Sequence, residues 1–167
     1  PRALRAAIRR HRPALVLCAG LAGGRAALSL ERVAINLIDA RIPDNDGAQP
    51  IDTPVVRGGP AAHFTTLPIK AMRAELQAAG IAAEISQTAG TFVCNQVFYV
   101  LMHALSRMPA PRPRGGFVHV PFVPEQLGDL PGIAAMPLET IVAGLRVAID
   151  CALRTRRDAR VVGGATH

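Results

Sequence analysis

Apolar residues recur along this chain with two periods, and each change of period marks an element boundary. Over 66–79, Ile69, Met72, Leu76 and Ala79 fall at helical spacing, with Thr66 as a candidate cap, Pro68 in the first turn and Gly80 as the stop. Residues 92–107 read as a helix that is apolar almost all round, interrupted by Asn95, Gln96 and His103. A third helix, 137–154, carries Leu138, Ile141, Leu145, Ala148 and Ala152 on one stripe. Residues 1–12 place Leu4, Ala7 and Ile8 on one helical face with no cap before them, and Pro13 ends that element.

Short runs rich in branched residues lie between the helices. ALVLCAG (14–20), LERVAINLID (30–39), IAAEISQT (81–88) and GGFVHVPFVP (115–124) read as strands; in the second, Val33, Ile35 and Leu37 alternate with Ala34, Asn36 and Ile38. GLAGGRA follows the first strand as a glycine-rich loop, and 40–60 is a long stretch dense in Pro, Gly, Asn and Asp. Strands alternating with helices predict an α/β layer fold with a largely parallel sheet. No internal repeat or second-domain boundary is visible, so 1–167 reads as a single domain with a flexible tail over about 156–167 that includes VVGGATH.

Composition narrows the class. Half of the 167 residues are apolar and 19% are charged, which fits a globular chain able to bury one sizeable core. No apolar run is long and clean enough to span a bilayer, and the opening PRALRAAIRRHRP has no signal-peptide h-region. Cys18, Cys94 and Cys151 are odd in number and widely spaced, which predicts a reducing, cytoplasmic setting rather than a disulfide framework. No metal-ligand spacing is present. The net charge of +7 collects at the two ends, in RRHR (9–12) and RTRRDAR (154–160), without interleaved aromatics, so neither nucleic acid nor a membrane is the expected partner.

Chemistry centres on Cys94. If Thr91 caps the helix, the sulfur lies in the first turn, where unpaired backbone N–H groups favour a thiolate and can bind an oxyanion. Taken alone, the same position better describes a small buried hydrophobe, the reading kept for Cys18 and Cys151. A nucleophilic cysteine needs a base. His119 lies in an apolar strand with its side chain opposite to those of Val118 and Val120, whereas His103 is more than two turns along the helix from Cys94. His63 and His11 lie in polar or terminal surroundings. Glu31 is a candidate for the carboxylate that orients the base, and spacing does not separate it from Asp39 or Asp44.

Five colinear blocks sharpen this picture: GLAGGRAALSLERVAIN (20–36), DARIPDNDGAQPID (39–52), GPAAHFTTLPIKAM (59–72), SQTAGTFVCNQVFY (86–99) and GGFVHVPFVPEQ (115–126). Together they resemble the pyroglutamyl peptidases of the pyrrolidone-carboxyl peptidase type, over about residues 1–155. The resemblance implies a three-layer α/β/α sandwich with a mostly parallel mixed sheet, no cofactor, and common assembly as tetramers. It matches the family nucleophile to Cys94 in GTFVCN, the histidine to His119 in FVHVPF and the acidic member to Glu31 in SLERVAIN. Arg41 in DARIPDN matches a residue near the oxyanion. Phe92, Val93 and the 20–24 loop, with Leu21, resemble the wall of the substrate pocket; Phe64 is a weaker candidate for that wall and reads rather as core. The implied activity is cysteine exopeptidase cleavage after an N-terminal pyroglutamyl residue, through a thioacyl intermediate.

Two departures from the family pattern follow. The family opens with a strand and a TGFEPF-like loop before a helix, and this chain starts within what resembles that helix, so an N-terminal truncation is expected. Leu21 stands where the family usually shows Gln. A catalytically impaired homologue that retains the fold as a structural or oligomeric remnant is the alternative these departures leave.

Overall fold

The computed structural model describes residues 2–128 and 132–164, which divide into two compact units. One comprises 1–18, 32–66 and 88–116; the other comprises 19–31, 67–87 and 117–167. In chain order the elements are α1 (Arg2–His11), β1 (Leu15–Leu21), β2 (Leu28–Glu31), β3 (Val33–Ile35), β4 (Ala62–Phe64), α2 (Ile69–Ala78), β5 (Ala83–Ser86), α3 (Val93–Ser106), β6 (Arg114–Val120) and α4 (Leu138–Arg154), with a 3-10 turn at Pro124–Gln126.

The four-stranded sheet has the order β1-β6-β2-β5. β2 runs parallel to β5, with Leu28 opposite Ala83 and Glu31 opposite Ser86, and antiparallel to β6, with Ser29 opposite His119. β1 and β6 are bracketed in parallel by bonds from Arg114 N–H to Ala14 O and from Ala22 N–H to Val120 O. The sheet is therefore mixed and mostly parallel, as expected of the α/β class.

In the first unit, α3 packs on the small antiparallel sheet of β3 and β4. Phe98, Tyr99 and Leu101 are fully buried on α3; burial of each such side chain contributes about 2 kcal/mol. Ile8 carries the apolar face of α1 into the same core. In the second unit, α2 and α4 pack together, and Leu28 and Leu30 are wholly buried on β2. Gly144 lets α4 approach closely, because a Cβ there would meet the Leu28 Cδ1, Ile81 and Leu76 side chains.

The expected strand over 30–39 is two strands in different sheets. The chain changes sheet at Arg32: Leu28–Glu31 is buried at every position, and Val33–Ile35 pairs with β4. Alternation continues across the break, so periodicity does not reveal it. The more buried face after the break is that of Ala34 and Ile38, not that of Val33, Ile35 and Leu37. β4, three residues long, is too short to carry a period. Phe64 on it is 68% exposed rather than core.

Both expected threonine caps are engaged elsewhere. The Thr66 hydroxyl accepts the Gly115 N–H at 2.8 Å. The open N–H groups at the start of α2 are met by Asp158, whose carboxylate accepts from Lys70 N–H and Ala71 N–H at 3.0 Å. Residues 158–162 lie along α2, with the Lys70 ammonium bonded to Val161 O and Arg73 to Val162 O. Of the VVGGATH ending, 165–167 fall outside the described residues. Among the described residues no helix is long and apolar enough to cross a membrane.

Candidate active site

Two neighbouring strands of the second unit deliver the acid and the base. Ser29 and Glu31 share one face of β2, since side chains alternate along a strand, and His119 stands opposite Ser29 on β6. Glu31 is therefore the diagonal neighbour of His119. Its Oε1 lies 2.7 Å from His119 Nδ1, with the carboxylate fully buried and the imidazole 5% exposed. A carboxylate accepts only, so Nδ1 carries the proton in this pair and the neutral tautomer leaves the Nε2 lone pair as the ring's basic site. Phe117, two residues back on the same face, packs against the imidazole with ring centroids 4.8 Å apart.

Arg25 joins this pair, although the sequence pattern did not single it out. Its Nη1 donates to the same Glu31 Oε1 at 2.8 Å. The glycine loop makes this reach possible. Gly23 lies under the Phe122 ring, where a Cβ would come within 2.5 Å of Cε2, and Gly24 takes a positive φ of 85°. The other carboxylate oxygen, Oε2, is buried and has no hydrogen-bond partner among the described residues. Glu31 is thus held in one orientation by two donors on one oxygen, at the point where β2 ends. Leu21, also in this unit, closes β1 and is 44% exposed.

Cys94 lies in the first unit, as the second residue of α3 and half-buried. Phe92, not Thr91, occupies the cap position, with no side-chain cap bond. The first intrahelical bond runs from Gln96 N–H to Phe92 O at 2.9 Å. The N–H groups of Val93, Cys94 and Asn95 therefore have no partner within the helix, which gives the helix end its partial positive charge.

This turn is pinned from outside. The Thr91 hydroxyl donates to Asp39 O at 2.9 Å, and Asp39 N–H donates back to Thr91 O at 2.9 Å. Asn95, wholly buried, accepts from Ile35 N–H and donates to Ile35 O and Leu37 O, all at 2.9–3.0 Å. Arg41 is exposed, two residues beyond Asp39. Phe92 is half-buried and Val93 is 41% exposed beside the cysteine. The only sequence sign of the Asn95 clamp is an amide inside an apolar helix.

The remaining cysteines are held as thiols. Burial raises the pKa of Cys18, and burial together with Glu75 pushes Cys151 up to about 11. His63 and His103 meet with Nε2 and Nδ1 3.1 Å apart, and Tyr99 lies against both rings. Among the described residues no group of three or more His, Cys, Asp or Glu is arranged to hold a metal ion.

Comparison with known proteins bears on what this arrangement does. The family model described as pyroglutamyl peptidase matches residues 2–155. The pyrrolidone-carboxylate peptidase of Cupriavidus taiwanensis is 62% identical over 156 residues, covering 93% of this chain and 72% of that protein. That of Erwinia tasmaniensis is 57% identical over the same shares. Among solved structures, the pyroglutamyl peptidase I of Bacillus amyloliquefaciens superimposes with a TM-score of 0.93 at 45% identity, over 96% of this chain and 76% of that one. A mutant pyrrolidone carboxyl peptidase of Pyrococcus furiosus gives 0.88 at 41% identity, over 92% and 75%. The fold of this chain is the α/β fold of those structures.

Proposed function

The chain belongs to the pyroglutamyl peptidase family, and from that membership we propose that it hydrolyses the bond after an N-terminal pyroglutamyl residue of peptides as a cysteine peptidase. Cys94 is the nucleophile, His119 the general base and acid, and Glu31 the carboxylate that fixes the imidazole. The observation that carries the reading is the buried 2.7 Å bond between Glu31 and His119, on the two residues that match the family's acid and base.

In this mechanism His119 Nε2 takes the thiol proton of Cys94, and the thiolate attacks the carbonyl that joins pyroglutamate to the next residue. The open N–H groups at the start of α3 suit the developing oxyanion, with Arg41 as a second source of positive charge. Collapse of the tetrahedral intermediate expels the amine, which takes its proton from the His119 imidazolium. Water, deprotonated by His119, then hydrolyses the thioester and releases pyroglutamate. No step calls for a cofactor. Leu21, Phe92 and Val93 supply apolar surface suited to a neutral lactam ring. The same reading includes self-association and work in the cytoplasm, in keeping with three free cysteines.

Release of a fluorescent amine from a pyroglutamyl-aminocoumarin tests the proposal, with Cys94→Ser as the control. Turnover that the substitution abolishes supports it. A folded wild-type chain without turnover overturns it and favours the non-catalytic homologue.

A further inference from the structure

A cavity of about 470 Å³ opens within the first unit, between α1, the end of α3 and Val56. This volume is in the range of small-molecule sites. Ile8 and Met108 give it apolar walls, while Arg5 and Arg9 reach it from α1, and His103 and Arg107 from the end of α3. Among the described residues no aspartate or glutamate lines it and none of the three arginines has an ion-pair partner. Arg9 and Arg107 lie at helix C-terminal ends, where the macrodipole favours a cation. Arg5, in mid-helix, has no such reason to be there. Three exposed guanidinium groups around one apolar-walled space leave a positive potential that an anion would neutralise.

We propose that this cavity binds a small organic anion, a carboxylate, sulfonate or phosphate head carried on a compact apolar body. The guanidinium groups take the head, for which their forked donors are suited, and Ile8 and Met108 take the body. None of the residues assigned to catalysis lines it.

His103 couples the site to pH. It is faced by Arg5 from α1, by His63 from β4 at 3.1 Å, by the stacked ring of Tyr99 on its own helix, and by Arg107 beyond the helix end. Burial, then the charges of Arg107 and Arg5, lower its pKa. An anion seated on those arginines cancels their effect, so the bound state holds a proton on His103 more readily than the free state. By linkage, affinity rises as pH falls through the histidine range.

The test uses the full chain and three probes: 1-anilinonaphthalene-8-sulfonate, its uncharged analogue N-phenyl-1-naphthylamine, and inorganic phosphate. Expected are one sulfonate site per chain, affinity about tenfold weaker for the neutral amine and for phosphate, and about tenfold loss in the Arg5→Gln/Arg107→Gln double variant with unchanged circular dichroism. Wild-type affinity should increase about threefold from pH 7.5 to pH 5.5, a gain that His103→Gln removes. If the double variant does not fold, each single variant serves in its place. Sulfonate binding unchanged by the arginine substitutions, equal binding of the neutral amine, or phosphate binding as tight as the sulfonate each overturns the proposal.

Discussion

Arg25 and His119 meet on a single carboxylate oxygen, with Nη1 and Nδ1 lying 2.8 Å and 2.7 Å from Glu31 Oε1. One buried oxygen thus receives a permanent cation and the imidazole. The arginine reaches the base through this carboxylate, which makes it a positioning residue. Arg25→Met should lower kcat by about tenfold with a smaller change in KM, because the ring loses its fixed orientation while the side chains of Leu21, Phe92 and Val93 are retained. Arg25→Lys, which keeps a donor and a charge, should recover much of the loss. Equal damage from Met and Lys, or an effect confined to KM, would contradict the role.

Asn95 fastens the helix that carries Cys94. Asn95→Ala removes three hydrogen bonds and leaves one buried N–H and two carbonyls of 35–37 without their partner. A destabilisation of about 3 kcal/mol is expected in urea unfolding, together with a loss of activity, since the first turn of α3 loses its anchor. A variant as stable as the wild type would show that the clamp is incidental.

The cysteines should separate by reactivity. At a pKa of about 11, Cys151 is thiolate in about one molecule in three thousand at pH 7.5, and burial moves Cys18 in the same direction. Limited iodoacetamide at that pH should place a single label on Cys94, read by peptide mass spectrometry. Labelling of Cys18 or Cys151 ahead of Cys94 would contradict the assignment of the nucleophile.

The His63–His103 pair predicts a pH dependence of stability. Burial is the main cause lowering both pKa values; the mutual charge adds to it at His63, and Arg107 and Arg5 add to it at His103. Below the ordinary histidine value near 6.5, the unfolded chain binds more protons than the native one. The stability contribution is therefore complete above that pH and is lost as pH falls through the folded-state values. Tm should drop more steeply between pH 7.5 and pH 5.5 in the wild type than in His63→Gln or His103→Gln. Parallel slopes would remove the pair from the account.

The helices were legible because their apolar stripes are long: α2, α3 and α4 lie inside the stretches that periodicity marks. What escaped depends on partners distant in the chain. Thr66 and Thr91 have the residue type of a cap, yet their hydroxyls bond to Gly115 and Asp39. The α2 terminus is instead served by Asp158, 88 positions from Lys70. Asn95 and Asn36 look like polar interruptions until their backbone partners across the unit are seen. Glu31, Asp39 and Asp44 were equivalent by spacing. The structure separates them: Glu31 is buried against His119, Asp39 is exposed and bonded through its backbone, and the Asp44 carboxylate closes its own turn on Asp46 and Ala48. Arg25 lay within a loop read for its glycines, and its role follows from a contact with Glu31 that no spacing rule describes.

The central claim is that Cys94 carries the acyl group. Acid quenching of the chain during turnover of a pyroglutamyl-aminocoumarin, followed by peptide mass spectrometry, tests it most directly. The account predicts one pyroglutamyl thioester, a mass increase equal to pyroglutamic acid less one water, on the peptide that contains Cys94, absent when the residue is alanine. Amine release that continues in Cys94→Ala, or an adduct on any other residue, would contradict it.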